Sequence, residues 1–242
     1  MRVAAGTVAL APRLMIIAEE IARLGRREIV YDIGTDHAYL PIYLLKSGTC
    51  DAAAATDVSA RSLERARRNA EAAGLAEKIR FYTGDGFLPI HDYQSGKIAV
   101  IAGIGGKNLT EILAGGGDRP RAASMLILQP MSGQEVLREW LFGNAYEILF
   151  ERLALEGRRV YSLFFCRAAP NPQTYTPMDL YLGKNVIYKS DDDYRHFLRF
   201  TRLRIVNRYD GLLAERLGES EEARRLAALL GEIDKLLQEA LW

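Results

Sequence analysis

The sequence predicts an α/β fold: a doubly wound, mostly parallel sheet that ends in an antiparallel hairpin and is followed by a C-terminal helical hairpin. Three observations predict it. Short apolar and β-branched runs alternate with amphipathic stretches through the first 170 residues, as strands joined by crossover helices do. The last two strand-like runs are separated only by Glu156, Gly157 and their neighbours, too few residues for a crossover. Beyond a proline-rich stretch, leucine and isoleucine recur at three-, four- and seven-residue spacing, a helical seam.

Taken in order, Leu14, Ile17, Ala18, Ile21 and Leu24 form the apolar face of an entry helix. Strands are expected over Ile29–Ile33, Ala52–Thr56, Ile79–Thr83, Ile98–Ala102, Met125–Gln129, Tyr146–Leu153 and Val160–Arg167. Leu63, Ala66, Ala70 and Ala73 mark a helix that stops at Gly74, where a C-terminal glycine belongs. Val136, Leu137, Trp140 and Leu141 mark another. Such alternation buries a parallel sheet between two helical layers. Ala168–Tyr181, AAPNPQTYTPMDLY, holds three prolines and reads as linker or loop. Leu198, Ile205 and Leu212 then recur every seven residues, and Leu226, Leu230, Ile233, Leu237 and Ala240 step by four and three, with LGES (Leu217–Ser220) between the two sets. That is an antiparallel, coiled-coil-like helical hairpin. The expected division is 1–169 for the sheet domain and 170–242 for the linker and helical hairpin.

Composition narrows the class. Half of the 242 residues are apolar and the net charge is +1, ordinary for a globular protein. No apolar run approaches the roughly 20 residues of a membrane span. The N-terminal MRVAAGTVALAPRLM runs into a helical pattern without a cleavage site and reads as mature chain. Two cysteines and three histidines show neither disulfide nor metal spacing; a cytoplasmic, metal-free protein is expected, and the sequence does not choose between monomer and weak homodimer. Charge is unevenly spread: Tyr194–Arg208 carries five arginines and no acid, whereas from Tyr209 onward eight acids face four bases. Either the two helical faces pair with each other, or the basic one attracts a polyanion.

Chemistry gathers at the strand ends, where α/β sheets bind ligands. The first is followed by Gly34, Thr35, Asp36 and His37, the second by Asp57 and Val58, the third by Gly84, Asp85 and Gly86, the fourth by Gly103–Gly106 after Ala102, and the fifth by Gln129, Pro130 and Met131. Asp57, 25 residues beyond Asp32, is placed to accept from ribose hydroxyls, and Asp85 from an exocyclic amine. Asp36 and Ala38 occupy positions where a dinucleotide loop has glycine, and a carboxylate there repels phosphate. A phosphate-free nucleoside with cationic groups, S-adenosylmethionine, fits, its charge matched by Asp32 and Asp36. Taken singly the signals have plainer readings: Asp57 as a helix cap, Gly105–Gly106 as a turn, His37 as a cap or a partly buried side chain.

DIGTDHAYLPI (Asp32–Ile42), DGFLPI (Asp85–Ile90), AGIGG (Ala102–Gly106) and LILQP (Leu126–Pro130), with APRLMIIAEEI, EVLREWL and ERLALEGRRVYSL around them, resemble the bacterial tRNA adenine-N1 methyltransferases that modify position 22. The resemblance implies a Rossmann-like class I methyltransferase sheet, S-adenosylmethionine as cofactor and tRNA as partner. Ile104 replaces that family's usual methionine and conserves bulk. On this basis Arg13, Asp32, Gly34, Thr35, Asp36, Asp57, Val58, Gly84, Asp85, Gly86, Ala102 and Gly103 are expected at the cofactor, with Arg13 toward its carboxylate. Asp36, His37, Gly103, Gly105 and Gly106 are expected at the reacting base. Gln129, Pro130, Arg26, Arg27, Arg195, Arg199 and Arg202 are expected to meet RNA. The rival readings are a methyltransferase for a small molecule or protein, a catalytically silent RNA-binding module, and a nicotinamide-dependent oxidoreductase, the last disfavoured by the missing phosphate glycines.

Overall fold

A computed structural model describes residues 9–157, 159–188 and 190–240; of the N-terminal stretch read as mature chain, residues 1–8 lie outside them. Five strands, β1 (Arg27–Ile33), β2 (Cys50–Asp57), β3 (Ile79–Thr83), β4 (Ile98–Ile104) and β5 (Met125–Pro130), are parallel. β6 (Tyr146–Glu156) and β7 (Arg159–Ala168) form the expected hairpin, and β8 (Val186–Ile187) pairs with β6. The order is β3-β2-β1-β4-β5-β7-β6-β8, so β7 is the antiparallel strand, inserted between β5 and β6.

Strand alternation sends side chains to two cores. Val30, Ala53, Val100 and Ile127 meet α1 (Pro12–Arg23), α2 (Tyr39–Lys46) and α3 (Ala60–Ala72) on one face. Tyr31, Ala54, Ile101 and Leu128 meet α4 (Gly106–Gly115) and α6 (Gln134–Gly143) on the other; the short α5 (Arg119–Ala122) precedes β5. Several strands run beyond their expected ends, β4 to Ile104 among them, because backbone pairing continues past the apolar run.

The linker or loop reading of Ala168–Tyr181 holds for residues 169–176 and is corrected beyond them. Pro177–Leu182 is a helix, α7, with Thr176 and Asp179 capping each other reciprocally. Proline at the first helical position starts a helix rather than breaking one. Arg138 and Glu151, both fully buried, form a two-pronged ion pair at 2.9 and 2.7 Å, and Arg138 Nη1 donates to the Leu180 carbonyl at 2.6 Å. This pair ties α6, β6 and α7 together.

α8 (Asp191–Ala214) and α9 (Glu221–Glu239) form the helical hairpin. Leu198, Ile205, Leu212, Leu226 and Ile233 fill its seam, joined by Leu153 and Val160 from the tip of the β6–β7 hairpin. Each such buried side chain contributes about 1.5–3 kcal/mol. Because β6 is parallel to β5, that tip stands at the carboxyl rim of the sheet, and the helices stand there with it.

Candidate functional site

The loop after β1 solves a steric problem in an unusual way. Gly34 turns at φ +78°, and a Cβ there would lie 2.9 Å from Ile104 Cδ1. Asp36 and Ala38 also take positive φ, +48° and +57°, conformations that glycine adopts freely and other residues at a cost of about 1–2 kcal/mol. Aspartate tolerates this region better than most, and its partners hold it there. Asp36 N donates to Asp57 Oδ2 at 3.2 Å, Arg65 Nη2 donates to Asp36 Oδ1 at 3.0 Å, and His37 Nε2 lies 3.3 Å from Asp36 Oδ2. The His37 ring stacks on Tyr39, centroids 5.1 Å apart.

Asp32 is buried at the end of β1 and accepts from Thr35 Oγ1 at 2.6 Å. Burial pushes its pKa up from 3.8 to about 6; the Thr35 bond opposes that rise and Asp57 adds to it. Asp57 ends β2, its Oδ1 accepting from Ser59 N at 2.8 Å; the helix cap itself is Ser59, which accepts from Ser62 N. Asp85 sits exposed between Gly84 and Gly86, both at positive φ, and the Gly86 carbonyl accepts from Thr56 Oγ1 at 3.0 Å.

These loops enclose one cleft of about 810 Å³. Every residue expected at the cofactor lines it: Arg13, Asp32, Gly34, Thr35, Asp36, Asp57, Val58, Gly84, Asp85, Gly86, Ala102 and Gly103. Arg13 does so with its guanidinium already bound to Glu156 at 2.7 Å. Residues that sequence reasoning missed also line it: Tyr39, Asn108, Glu111 and Ile112. The helical period of α4 carries the last three, one turn beyond the glycines. Arg65, which holds Asp36, lay unread inside the α3 pattern.

Several expected site residues lie elsewhere. Of the loop's three glycines only Gly103 lines the cleft, with Ile104 beside it; Gly105 is the N-cap of α4, and Gly106 is buried so tightly that an added Cβ would overlap the Gly133 carbonyl. Gln129 is fully buried, accepting from Gly103 N at 3.0 Å and donating to the Pro130 carbonyl at 2.9 Å, so it shapes the bulge at Gly103 instead of meeting a ligand; Pro130 is buried beside it. Arg26 pairs with Asp51 and Arg27 bonds the Gly25 carbonyl, at the opposite end of β1 from the cleft. The stripe on α8 is largely self-paired: Arg195 with Asp192 and the Ala240 carbonyl, Arg202 with Asp234, Arg204 with Glu135 and Arg208 with Glu222, leaving Arg199 exposed.

A methyltransferase domain model matches residues 10–164. The chain is 32% identical over 174 residues to the tRNA (adenine(22)-N1)-methyltransferase of Bacillus subtilis, covering 72% of this chain and 71% of that one. The chain belongs to the tRNA (adenine(22)-N1)-methyltransferase family. Solved structures agree with that membership. A candidate family protein from Streptococcus pneumoniae, in complex with S-adenosyl-L-methionine, superposes with a TM-score of 0.75 at 26% identity, over 92% of this chain and 100% of that chain. The crystal structure of the B. subtilis m1A22 tRNA methyltransferase gives 0.65 at 25% identity, over 96% and 97%.

Proposed function

We propose that the protein transfers a methyl group from S-adenosylmethionine to N1 of an adenosine in bacterial tRNA, at position 22. Family membership supports the reaction, and the charge of the cleft supports the cofactor. Five carboxylates, those of Asp32, Asp36, Asp57, Asp85 and Glu111, line the cleft against one arginine that Glu156 already neutralises. Such a field attracts a cation and repels a pyrophosphate, which weighs against a nicotinamide cofactor. The residues fit S-adenosylmethionine, which supplies a methyl group on a sulfonium.

Asp57 would accept from the ribose hydroxyls and exposed Asp85 from the adenine amine. Arg13, now paired with Glu156, would hold the carboxylate, and Asp32 and Asp36 would face the positive groups. Adenine N1 is unprotonated at neutral pH and carries a lone pair, so no residue need act as general base. The product base is cationic, and the task of the site is alignment plus negative potential. Asp36, clamped at the cleft mouth, supplies that potential, and His37 holds Asp36 on the side away from Arg65. Gly103 lets the base approach backbone. Because N1 is hidden in a Watson–Crick pair, the base enters unpaired or extruded. Two buried, unbridged thiols, Cys50 and Cys166, accord with the reducing cytoplasm, where the substrate resides.

Incubation with labelled S-adenosylmethionine and unmodified tRNA, followed by nucleoside analysis and mapping, should place 1-methyladenosine at position 22. Labelling of a protein or metabolite instead, or of another nucleotide, would overturn the reading.

A further inference from the structure

The α8 arginines are mostly committed within the chain, so the cleft needs another cationic flank if a polyanion is to lie across it. α3 provides one. Arg61, Arg65 and Arg68 recur at i, i+4 and i+7, on one face of the helix. α3 begins at Ala60, directly after Asp57 and Val58 in the cleft wall. Arg65 reaches the cleft mouth, where it holds Asp36, and its buried Nε has no hydrogen-bond partner among the described residues. Among the described residues, exposed Arg61 makes no ion pair and Arg68 meets only Glu64, at 3.7 Å with both side chains mostly exposed. An isolated arginine on an exposed helix is usually just solvated. This row differs because its middle member touches a cleft residue and its outer members are free to take new partners.

We infer that the Arg61–Arg65–Arg68 row of α3 docks the RNA sugar-phosphate backbone beside the nucleotide that enters the cleft. The inference rests on the proposed reaction with tRNA. Geometry favours an elongated polyanion: α3 flanks the cleft on the β2 side and the helical hairpin stands at the same rim on the β6–β7 side. Such contacts position the nucleic acid without reading its sequence.

The test uses the full-length protein and unmodified tRNA. The Arg61→Gln/Arg68→Gln double variant leaves Arg65 and the cleft intact, and thermal unfolding verifies its fold. Each lost phosphate contact lowers the slope of log K against log salt by about 0.7–0.9, so the double variant should lose about 1.4–1.8. S-adenosylmethionine affinity by calorimetry should not change. Arg26→Gln, at the far end of β1, serves as the charge control and should leave the slope as it is. An unchanged slope in the double variant, or an equal per-charge loss in the control, overturns the docking row. Absence of methyl transfer to tRNA by the wild-type protein instead overturns the functional reading, and the row with it.

Discussion

Asp32→Asn should make the protein more stable while weakening its grip on the cofactor. In the fold the Asp32 carboxyl titrates at about 6 against an ordinary 3.8, chiefly because it is buried. Between those values the folded chain keeps a proton that the unfolded chain has released, so stability falls as pH rises through this window and the full cost is present above it. The gap corresponds to about 3 kcal/mol at neutral pH. Asparagine carries no charge to desolvate. It still accepts from Thr35, though as a neutral acceptor, which gives back about 1 kcal/mol. The variant should then be about 2 kcal/mol more stable at pH 7.5, raising Tm by about 4–8 °C for a chain of this size. By pH 4.5 the advantage should have nearly vanished, since only about 1 kcal/mol of the cost has developed there. Chemical unfolding at the two pH values measures this difference directly. An advantage of equal size at both, or none at either, would refute burial of the charge as the cause. In parallel, calorimetry should show S-adenosylmethionine binding at least about tenfold weaker in the variant, a loss of about 1.4 kcal/mol. In the wild type, binding of the cation should weaken as pH falls through about 6 and Asp32 takes up its proton.

Three further outcomes are expected. Asp36→Asn should lower turnover far more than cofactor affinity, because the carboxylate is held at the cleft mouth by Arg65 and His37; equal losses by kinetics and calorimetry would make it a cofactor ligand only. Gly106→Ala should cost about 3 kcal/mol in chemical unfolding, since the overlap is with the Gly133 backbone, which cannot rotate away; a loss below about 0.5 kcal/mol, the scale of an ordinary surface change, would show that the two loops part easily. Arg138→Met should cost about 3–5 kcal/mol by stranding Glu151, whereas Arg138→Met/Glu151→Leu should cost less than the single change; a double variant worse than the single one would mean that the carbonyl bonds to α7, not the ion pair, carry the stability.

The sheet and the cleft at its carboxyl rim were legible because both follow from strand periodicity. Once strand ends are located, the residues beyond them must share one rim, and Asp32, Asp57 and Asp85 do line a single cleft. β8 and α7 were harder. Two residues are too few to show alternation, and the proline that starts α7 looks like the prolines that break chains. The cap pair Thr176 and Asp179 was the available signal. For the α8 arginines, spacing established the stripe but not its partners: Asp234 is 32 residues from Arg202, and Glu135 is 69 from Arg204. Pairing across elements has no local signature.

The same limit separates residues that touch a ligand from those that place others. Gln129 lies near the carboxyl end of β5, where a ligand residue would, yet it turns inward to hold the Gly103 amide. The strand end fixes where its backbone lies; strand alternation decides which way its side chain points, and here the answer is the core. Asp36 shows the converse. Its substitution for glycine looked purely electrostatic in the sequence, but the backbone adopts the left-handed conformation all the same, and Asp57 and Arg65 hold it there. A glycine would satisfy the turn alone. An aspartate satisfies the turn and also brings a carboxylate to the mouth of the cleft, and on the proposed reaction, in which that cleft receives a cation, this accounts for both the missing glycine and the strain that replaces it.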